Sequence, residues 1–285
     1  MDIWYNVGMK SWLENSSVVI TGASSGIGKE LSKLLIEKYS CFVLGVGRNQ
    51  DKLQSFKEEL GEHSRQFDYI ARDVSKEESW TDIFEKAKAN DCKILINNAG
   101  TMHPFMRADK LEPKTMDKIF KTNFYSVFYG HKTFSDYFRG KRGCAIVNIT
   151  SASALSAIPG ESIYSASKSA ATTFSRIASS EEHKKFFIAT YLPGFTKTNL
   201  FRSKDNAKPI FDEEATKLIN KIALAPSKLA RKIVSCLRRH KRYKKFGVDA
   251  RMLKLLNSLA PNKSSDLYLK IFKKSKFKCF EDIFD

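Results

Sequence analysis

The chain is 285 residues long, and what it lacks narrows its function. It has no run of 18 apolar residues, so no membrane-spanning helix is expected. Met1-Asp-Ile-Trp-Tyr has neither the basic nor the apolar region of a secretory signal. Cysteine is scarce: five residues, at positions 41, 92, 144, 236 and 279, none in Cys-x-x-Cys spacing. An odd, scattered set argues against a disulfide framework and against a zinc site, and no metal is expected. It reads as the reduced thiols of a cytoplasmic protein. Internal repeats and low-complexity segments are also missing.

Apolar runs such as Ser17-Val-Val-Ile20 and Ala145-Ile-Val-Asn-Ile149 alternate with helical segments. That alternation predicts an α/β fold, a doubly wound parallel sheet with helices on both faces. Between the first strand and a helix over Lys29–Tyr39 lies Thr21-Gly-Ala-Ser-Ser-Gly-Ile-Gly28. Strand, glycine turn and helix together suit a dinucleotide. Glycines let the backbone approach a pyrophosphate, and the helix start offers unpaired N–H groups. The second strand, Phe42 to Gly47, ends without the carboxylate that would bind an adenosine ribose; the first acid is Asp51. Arg48 stands there instead, which suits a ribose 2′-phosphate and favours NADP(H) over NAD(H). The bland alternative is an ordinary surface arginine.

Tyr164-Ser-Ala-Ser-Lys168 sets a phenol and an ammonium on one helical face. A phenol titrates near pH 10, and a neighbouring cation favours the phenolate, bringing it toward working pH. Ser151 follows the strand ending at Ile149, at the carboxyl end of the sheet where such folds hold ligands. A second Tyr-x-x-x-Lys, Tyr137 to Lys141, runs into Gly140 and Gly143 and has no serine placed before it.

Together these residues resemble the short-chain dehydrogenase/reductase family over about residues 15–250. In that likeness Thr21, Gly22, Ser24, Ser25, Gly26, Ile27 and Gly28 form the cofactor loop, with Arg48 beside the ribose. Asp73 and Val74 resemble the pair against the adenine, and Asn98, Ala99 and Gly100 belong to the turn after the fourth strand. Pro193, Gly194, Thr196 and Thr198 resemble the segment that grips the nicotinamide. Asn123 matches the asparagine whose helix distortion holds a relay water. Ser151, Tyr164 and Lys168 match the remaining catalytic positions, and Tyr164 and Lys168 also contact cofactor. The resemblance implies one Rossmann-fold domain of about seven strands and hydride transfer between NADP(H) and a ketone, aldehyde or secondary alcohol. Ser151 would hold the carbonyl oxygen and Tyr164 would act as acid/base. It also implies a homodimer or homotetramer built on helices beginning near residues 112 and 162.

Residues 196–225 should cover the substrate; Leu200, Phe201, Ile210, Phe211, Leu218, Ile219 and Ile222 could line a greasy, steroid- or lipid-sized pocket or simply pack the lid down. Residues 251–285 read as a basic helical extension, with Met252, Leu253, Leu256 and Leu259 at helical spacing and Pro261 as a stop. From residue 196 onward Lys and Arg number 23 against 9 Asp and Glu. Apolar Leu267, Leu269, Ile271, Phe272, Phe277 and Phe280 are interleaved with the last cations. Three readings compete: a solvated basic face folded onto the domain, peripheral contact with an anionic membrane, and, least favoured, nucleic acid. His103 and His131 are expected at the surface or the pocket rim. The rival to an enzyme is an NADP(H)-binding redox sensor or membrane-surface scaffold, which would have no need of all four catalytic positions.

Overall fold

Strand β1 (Ser17–Thr21) is buried along nearly its whole length, as a strand covered on both faces must be, and it starts the sheet from the middle. The computed structural model describes residues 12–182, 185–198, 200 and 210–284. Helix α1 (Gly26–Tyr39) returns the chain to β2 (Phe42–Gly47), and α2 (Gln50–Glu59) returns it to β3 (Phe67–Ala71). After β3 the chain passes α3 (Ser79–Ala89) and crosses to the other side of β1 as β4 (Cys92–Asn97). Helices α4 (Pro113–Phe120) and α5 (Ser126–Phe138), joined by a π turn at Lys121–Tyr125, lead to β5 (Ala145–Ile149). Helix α6 (Ser162–Glu181), β6 (Phe187–Pro193), α7 (Glu213–Ile222), α8 (Pro226–Arg238) and β7 (Tyr243–Phe246) complete the sheet.

The seven strands run in the order β3-β2-β1-β4-β5-β6-β7, all parallel. The order reverses between β1 and β4, and there the carboxyl ends open a crevice for ligands. One face of the sheet packs Leu31 and Leu35 of α1, Phe56 of α2 and Leu229 and Ile233 of α8 against Val18, Ile94 and Tyr191. The other packs Trp80 and Ile83 of α3 and Phe134 and Phe138 of α5 against Val19, Leu95 and Ile146.

Part of the basic run Arg238–Lys245 is strand rather than loose surface. β7 pairs with β6, and its outer residues Tyr243 and Lys244 are exposed. Lysines on a short edge strand discourage pairing with another sheet. Beyond it stand α9 (Val248–Leu259), α10 (Pro261–Ser275) and the single turn α11 (Glu281–Phe284). Pro261 both ends α9 and opens α10, where its missing N–H costs nothing. The extension does not run away from the domain: Leu269, Phe272, Phe277, Phe280 and Ile283 fold onto it. Leu267 and Ile271 stay exposed. Among the described residues no helix is long and apolar enough to cross a membrane.

Candidate active site

The glycine turn sets the floor of the crevice. Gly22 and Gly26 have φ of 69° and 52°, left-handed values open to glycine at little cost. A Cβ on Gly28 would lie 2.3 Å from the Gly22 carbonyl oxygen, so α1 presses directly onto the loop. Ser25 caps α1 in an extended conformation without a side-chain bond, and the first turn carries no acid. Uncommitted N–H groups at this helix start fit a pyrophosphate. Ile27 packs half-buried against the core beside this turn.

Thr21 ties the loop to the strand beyond the reversal. Its Oγ1 accepts from the N–H groups of Asn98 at 2.9 Å and Ala99 at 3.0 Å, and its carbonyl accepts from Asn98 Nδ2 at 2.9 Å. Ser24 Oγ lies near Gly47, and Arg48 is exposed just beyond the end of β2. Asp73 is half-buried and its Oδ1 accepts from Ser75 N–H at 3.0 Å. The Val74 carbonyl accepts from Trp80 Nε1 at 3.0 Å. Pro193 ends β6, and Gly194 N–H donates to Phe246 at 2.7 Å. Thr196 bonds back to Gly194 at 3.1 Å and pairs with Leu224. Thr198 comes close to Gly26, which brings the segment after β6 against the glycine turn.

Ser151, Asn123, Tyr164 and Lys168 converge at the carboxyl ends of β4 and β5. Tyr164 and Lys168 lie one turn apart on α6, 5% exposed each, with the Lys168 Nζ 6.0 Å from the phenol ring centre. The Ser151 hydroxyl is hydrogen-bonded with the phenol. A Cβ on Gly100 would sit 3.2 Å from Lys168 Nζ and 3.4 Å from Asn123 Oδ1, so all three meet at the turn after β4. Asn123 lies in the π turn, where the Ser126 N–H reaches back to the Lys121 carbonyl and the Ser126 Oγ donates to the Thr122 carbonyl at 2.6 Å. Its Oδ1 accepts from Thr101 N–H at 2.8 Å, and its Nδ2 donates to the Thr101 carbonyl at 2.9 Å and to Ser167 Oγ at 3.0 Å. Ser167 in turn donates to the Tyr164 carbonyl at 2.7 Å.

The electrostatics correct one expectation. The protein's own groups do not bring Tyr164 down toward neutrality. Burial pushes the phenol above its ordinary range and outweighs the Ser151 hydrogen bond, while nearby Glu161 pushes it further up. The same burial lowers Lys168 to about 8. Burial disfavours the charged form of each group, which raises the phenol and lowers the ammonium.

Sequence reasoning missed Glu161, Ser167 and Asp249. Glu161 is 3% exposed, just before α6; burial pushes its carboxyl up to about 7, against the pull of the Ser153 and Ser165 hydroxyls. Asp249 holds the Phe195 N–H at 2.5 Å. Ser167 stood inside the Tyr164–Lys168 motif, whereas nothing around Glu161 or Asp249 marked them out. His103 is not at the surface but buried, its Nδ1 2.6 Å from the Pro104 carbonyl, and burial lowers its pKa. His131 is wedged near Phe174 and Phe186 between helices rather than in the pocket. Of the covering segment, Ile210, Phe211 and Ile219 pack inward with Leu200, but Leu218 and Ile222 face out; Phe201 lies outside the described residues. No group of three metal-binding side chains occurs among the described residues. A separate cleft beside Trp12 and His240, about 310 Å³, opens at the amino ends of the strands, away from these groups.

Comparison with known proteins agrees with this geometry. The short chain dehydrogenase family matches residues 16–209. The chain belongs to the short-chain dehydrogenase/reductase family. It is 31% identical to 3beta-hydroxysteroid dehydrogenase 2 of Eggerthella lenta over 194 residues, 66% of this chain and 74% of that protein. It is 28% identical to the very-long-chain 3-oxoacyl-CoA reductase of Bos taurus, across 77% of this chain and 70% of that one. A Burkholderia cenocepacia short chain dehydrogenase solved with NADP aligns at a TM-score of 0.73 and 21% identity, covering 90% and 98% of the two chains. A 3-ketoacyl-(acyl-carrier-protein) reductase of Brucella melitensis complexed with NADH aligns at 0.69 and 25%, covering 79% and 91%. As a short-chain dehydrogenase, the protein is an oxidoreductase acting on hydroxyl or keto groups of small molecules with a nicotinamide cofactor.

Proposed function

We propose that the protein reduces a ketone or aldehyde, of apolar steroid- or lipid-like character, with NADPH. The observation that carries this reading is the buried Tyr164, hydrogen-bonded with Ser151 and held protonated by its surroundings. The bound nicotinamide supplies the hydride. Ser151 donates to the carbonyl oxygen and holds it beside the phenol. As negative charge grows on that oxygen, Tyr164 gives it the phenolic proton. Lys168, still mostly cationic at pH 7, stabilises the phenolate left behind. Asn123 has its side-chain amide committed to Thr101 and Ser167, so it serves the site by tying the π turn to α6 and to the turn after β4.

Arg48, exposed at the end of β2 with no acid beside it in sequence, supports NADPH over NADH. Met102, Phe105, Phe195, Ile210 and Phe211 share a cluster with Tyr164 and support an apolar substrate. NADPH oxidation beside NADH, against ketones from small diketones to steroids, tests the reading. Turnover with NADPH that vanishes in Tyr164→Phe is the expected result. Tight NADPH binding without turnover on any ketone would replace it with the sensor or scaffold.

We also propose a homodimer or homotetramer and a peripheral membrane contact for a cytoplasmic protein. Met116, Tyr125, Phe128 and Ile177 expose apolar area on α4, the π turn, α5 and α6, which favours pairing there. On α9, Val248, Met252, Leu255 and Leu259 form an exposed stripe with Arg251 and Lys254 on the same helix, which favours an anionic bilayer. Sedimentation with anionic vesicles should lose the protein when Met252→Glu and Leu255→Glu are combined. Undiminished sedimentation would remove the membrane contact.

A further inference from the structure

Residues 265–284 tie together the loops that surround the catalytic hydroxyls. After β5, Ser156 Oγ lies 3.2 Å from the Tyr268 hydroxyl, and Ser265 Oγ donates to the Ala157 carbonyl at 2.9 Å. After β4, the Arg107 N–H donates to the Asp282 carbonyl at 3.2 Å. After β6, Asp212 caps α7 with one carboxylate oxygen and accepts from the Cys279 N–H with the other, at 2.8 and 3.0 Å. Three strands therefore deliver their loops to one strap of the same chain.

The strap also brings apolar mass over the site. Phe280 stacks on Phe272 with centroids 3.9 Å apart and meets Phe105 edge-on at 4.9 Å, while Phe105 touches Phe211 at 5.3 Å. Phe280 and Ile283, 7% and 9% exposed, share one cluster with Tyr164. Ile283 bears on the turn that feeds α6: Gly160, at φ 83°, has room for no Cβ, because Ile283 Cδ1 and Phe105 Cδ1 would each stand 2.8 Å from it. A strap that served only to hold the helices together would not need Phe280 and Ile283 in the same cluster as the catalytic tyrosine.

We propose that residues 277–284 form the roof of the substrate pocket and that Phe280 and Ile283 set the size of the carbonyl compound it accepts. The inference rests on the reading of Ser151 and Tyr164 as the site of carbonyl reduction. An apolar wall discriminates by volume. One methylene more or less in such a wall changes selectivity by about 10- to 200-fold, so removing two large side chains opens the pocket measurably.

The test uses full-length protein, wild type beside Phe280→Ala/Ile283→Ala and Ile283→Trp, with NADPH, 2,3-butanedione and a steroid ketone. The steroid-to-diketone ratio of kcat/KM should rise at least about 10-fold in the double variant and fall in Ile283→Trp. Calorimetric affinities of both ketones for the NADP⁺-loaded proteins should shift in the same directions. If the double variant does not fold, Ile283→Ala replaces it, since one truncation removes less buried apolar volume than two. Ratios unchanged within about twofold in folded variants overturn the roof, leaving the strap a purely structural element. Wild-type protein that binds NADPH but turns over neither ketone overturns the reductase reading instead. The affinities then decide the roof by themselves: an unchanged affinity ratio overturns it and a shifted one supports it.

Discussion

Asp249, in the first turn of α9, reaches back to Phe195 and accepts its N–H at 2.5 Å. Its carboxylate fills the space beside Gly194: a Cβ there would meet Oδ2 at 2.1 Å. Gly247 leaves room on the other side at φ 105°. Burial raises the carboxyl above its ordinary range, while the N–H groups of Phe195 and Ala250 pull the other way. The segment proposed to hold the nicotinamide is thus fixed by a residue that follows the last strand.

Asp249→Ala should raise KM for the cofactor about 10-fold or more, the scale of a lost hydrogen bond to a charged group. Asp249→Asn keeps an acceptor and should restore most of that loss. Steady-state kinetics with varied NADPH checks both, and equal KM in all three proteins would show that the contact positions nothing.

Tyr164→Phe should cut kcat by about 10² to 10⁴-fold, the range of a missing general acid. NADPH affinity, read by fluorescence titration, should stay near wild type, because the substitution removes one hydroxyl and leaves the glycine turn intact.

Arg48→Ala should raise KM for NADPH by about 10- to 100-fold and leave KM for NADH nearly unchanged. Equal changes with both cofactors would show that Arg48 does not read the 2′-phosphate.

Gly28→Ala should abolish cofactor binding, since its Cβ would lie 2.3 Å from the Gly22 carbonyl and force α1 away from the turn. Calorimetric titration with NADP⁺ measures the loss.

Glu161 predicts a pH dependence of stability. Its carboxyl is raised from 4.5 to about 7, so the folded protein holds the proton more tightly than the unfolded chain. That contribution is fully present below the unfolded value and is lost as pH rises through about 7, amounting to about 3 kcal/mol. Lys168, lowered from 10.5 to about 8, gains stability as pH rises from about 8 to 10.5, and His103, His131 and His240, each lowered from 6.5 by burial, gain it as pH rises below 6.5, so the contribution of Glu161 is read as the difference between wild type and Glu161→Gln. From pH 5 to 8 the thermal midpoint of the wild type should fall by several degrees relative to that of Glu161→Gln, and parallel profiles would show that Glu161 contributes nothing.

The sequence by itself determined the sheet, its parallel sense and the reach of the crevice. Continuous apolar strands, a glycine turn entering α1 and a Tyr-x-x-x-Lys pair are local patterns whose spacing directly sets geometry, so Thr21 to Gly28 and Ser151, Tyr164 and Lys168 could be named from spacing and family likeness. Three things were decided only by the tertiary structure. The shifts at Tyr164 and Lys168 come from desolvation, which depends on everything packed around the pair and not on the four-residue spacing between them. Asp249 and Glu161 gained their roles from contacts that no periodicity encodes: Asp249 reaches Phe195 across the end of β7, and Glu161 is shut in by the turn that starts α6. The basic tail read as a solvated face folded onto the domain, because charge and apolar spacing are legible along the chain, but where it lands is not. Its path over Phe105 and Gly160 was fixed by the burial of Phe280 and Ile283, a gain that exists only once β4, β5 and β6 have delivered their loops to the same place.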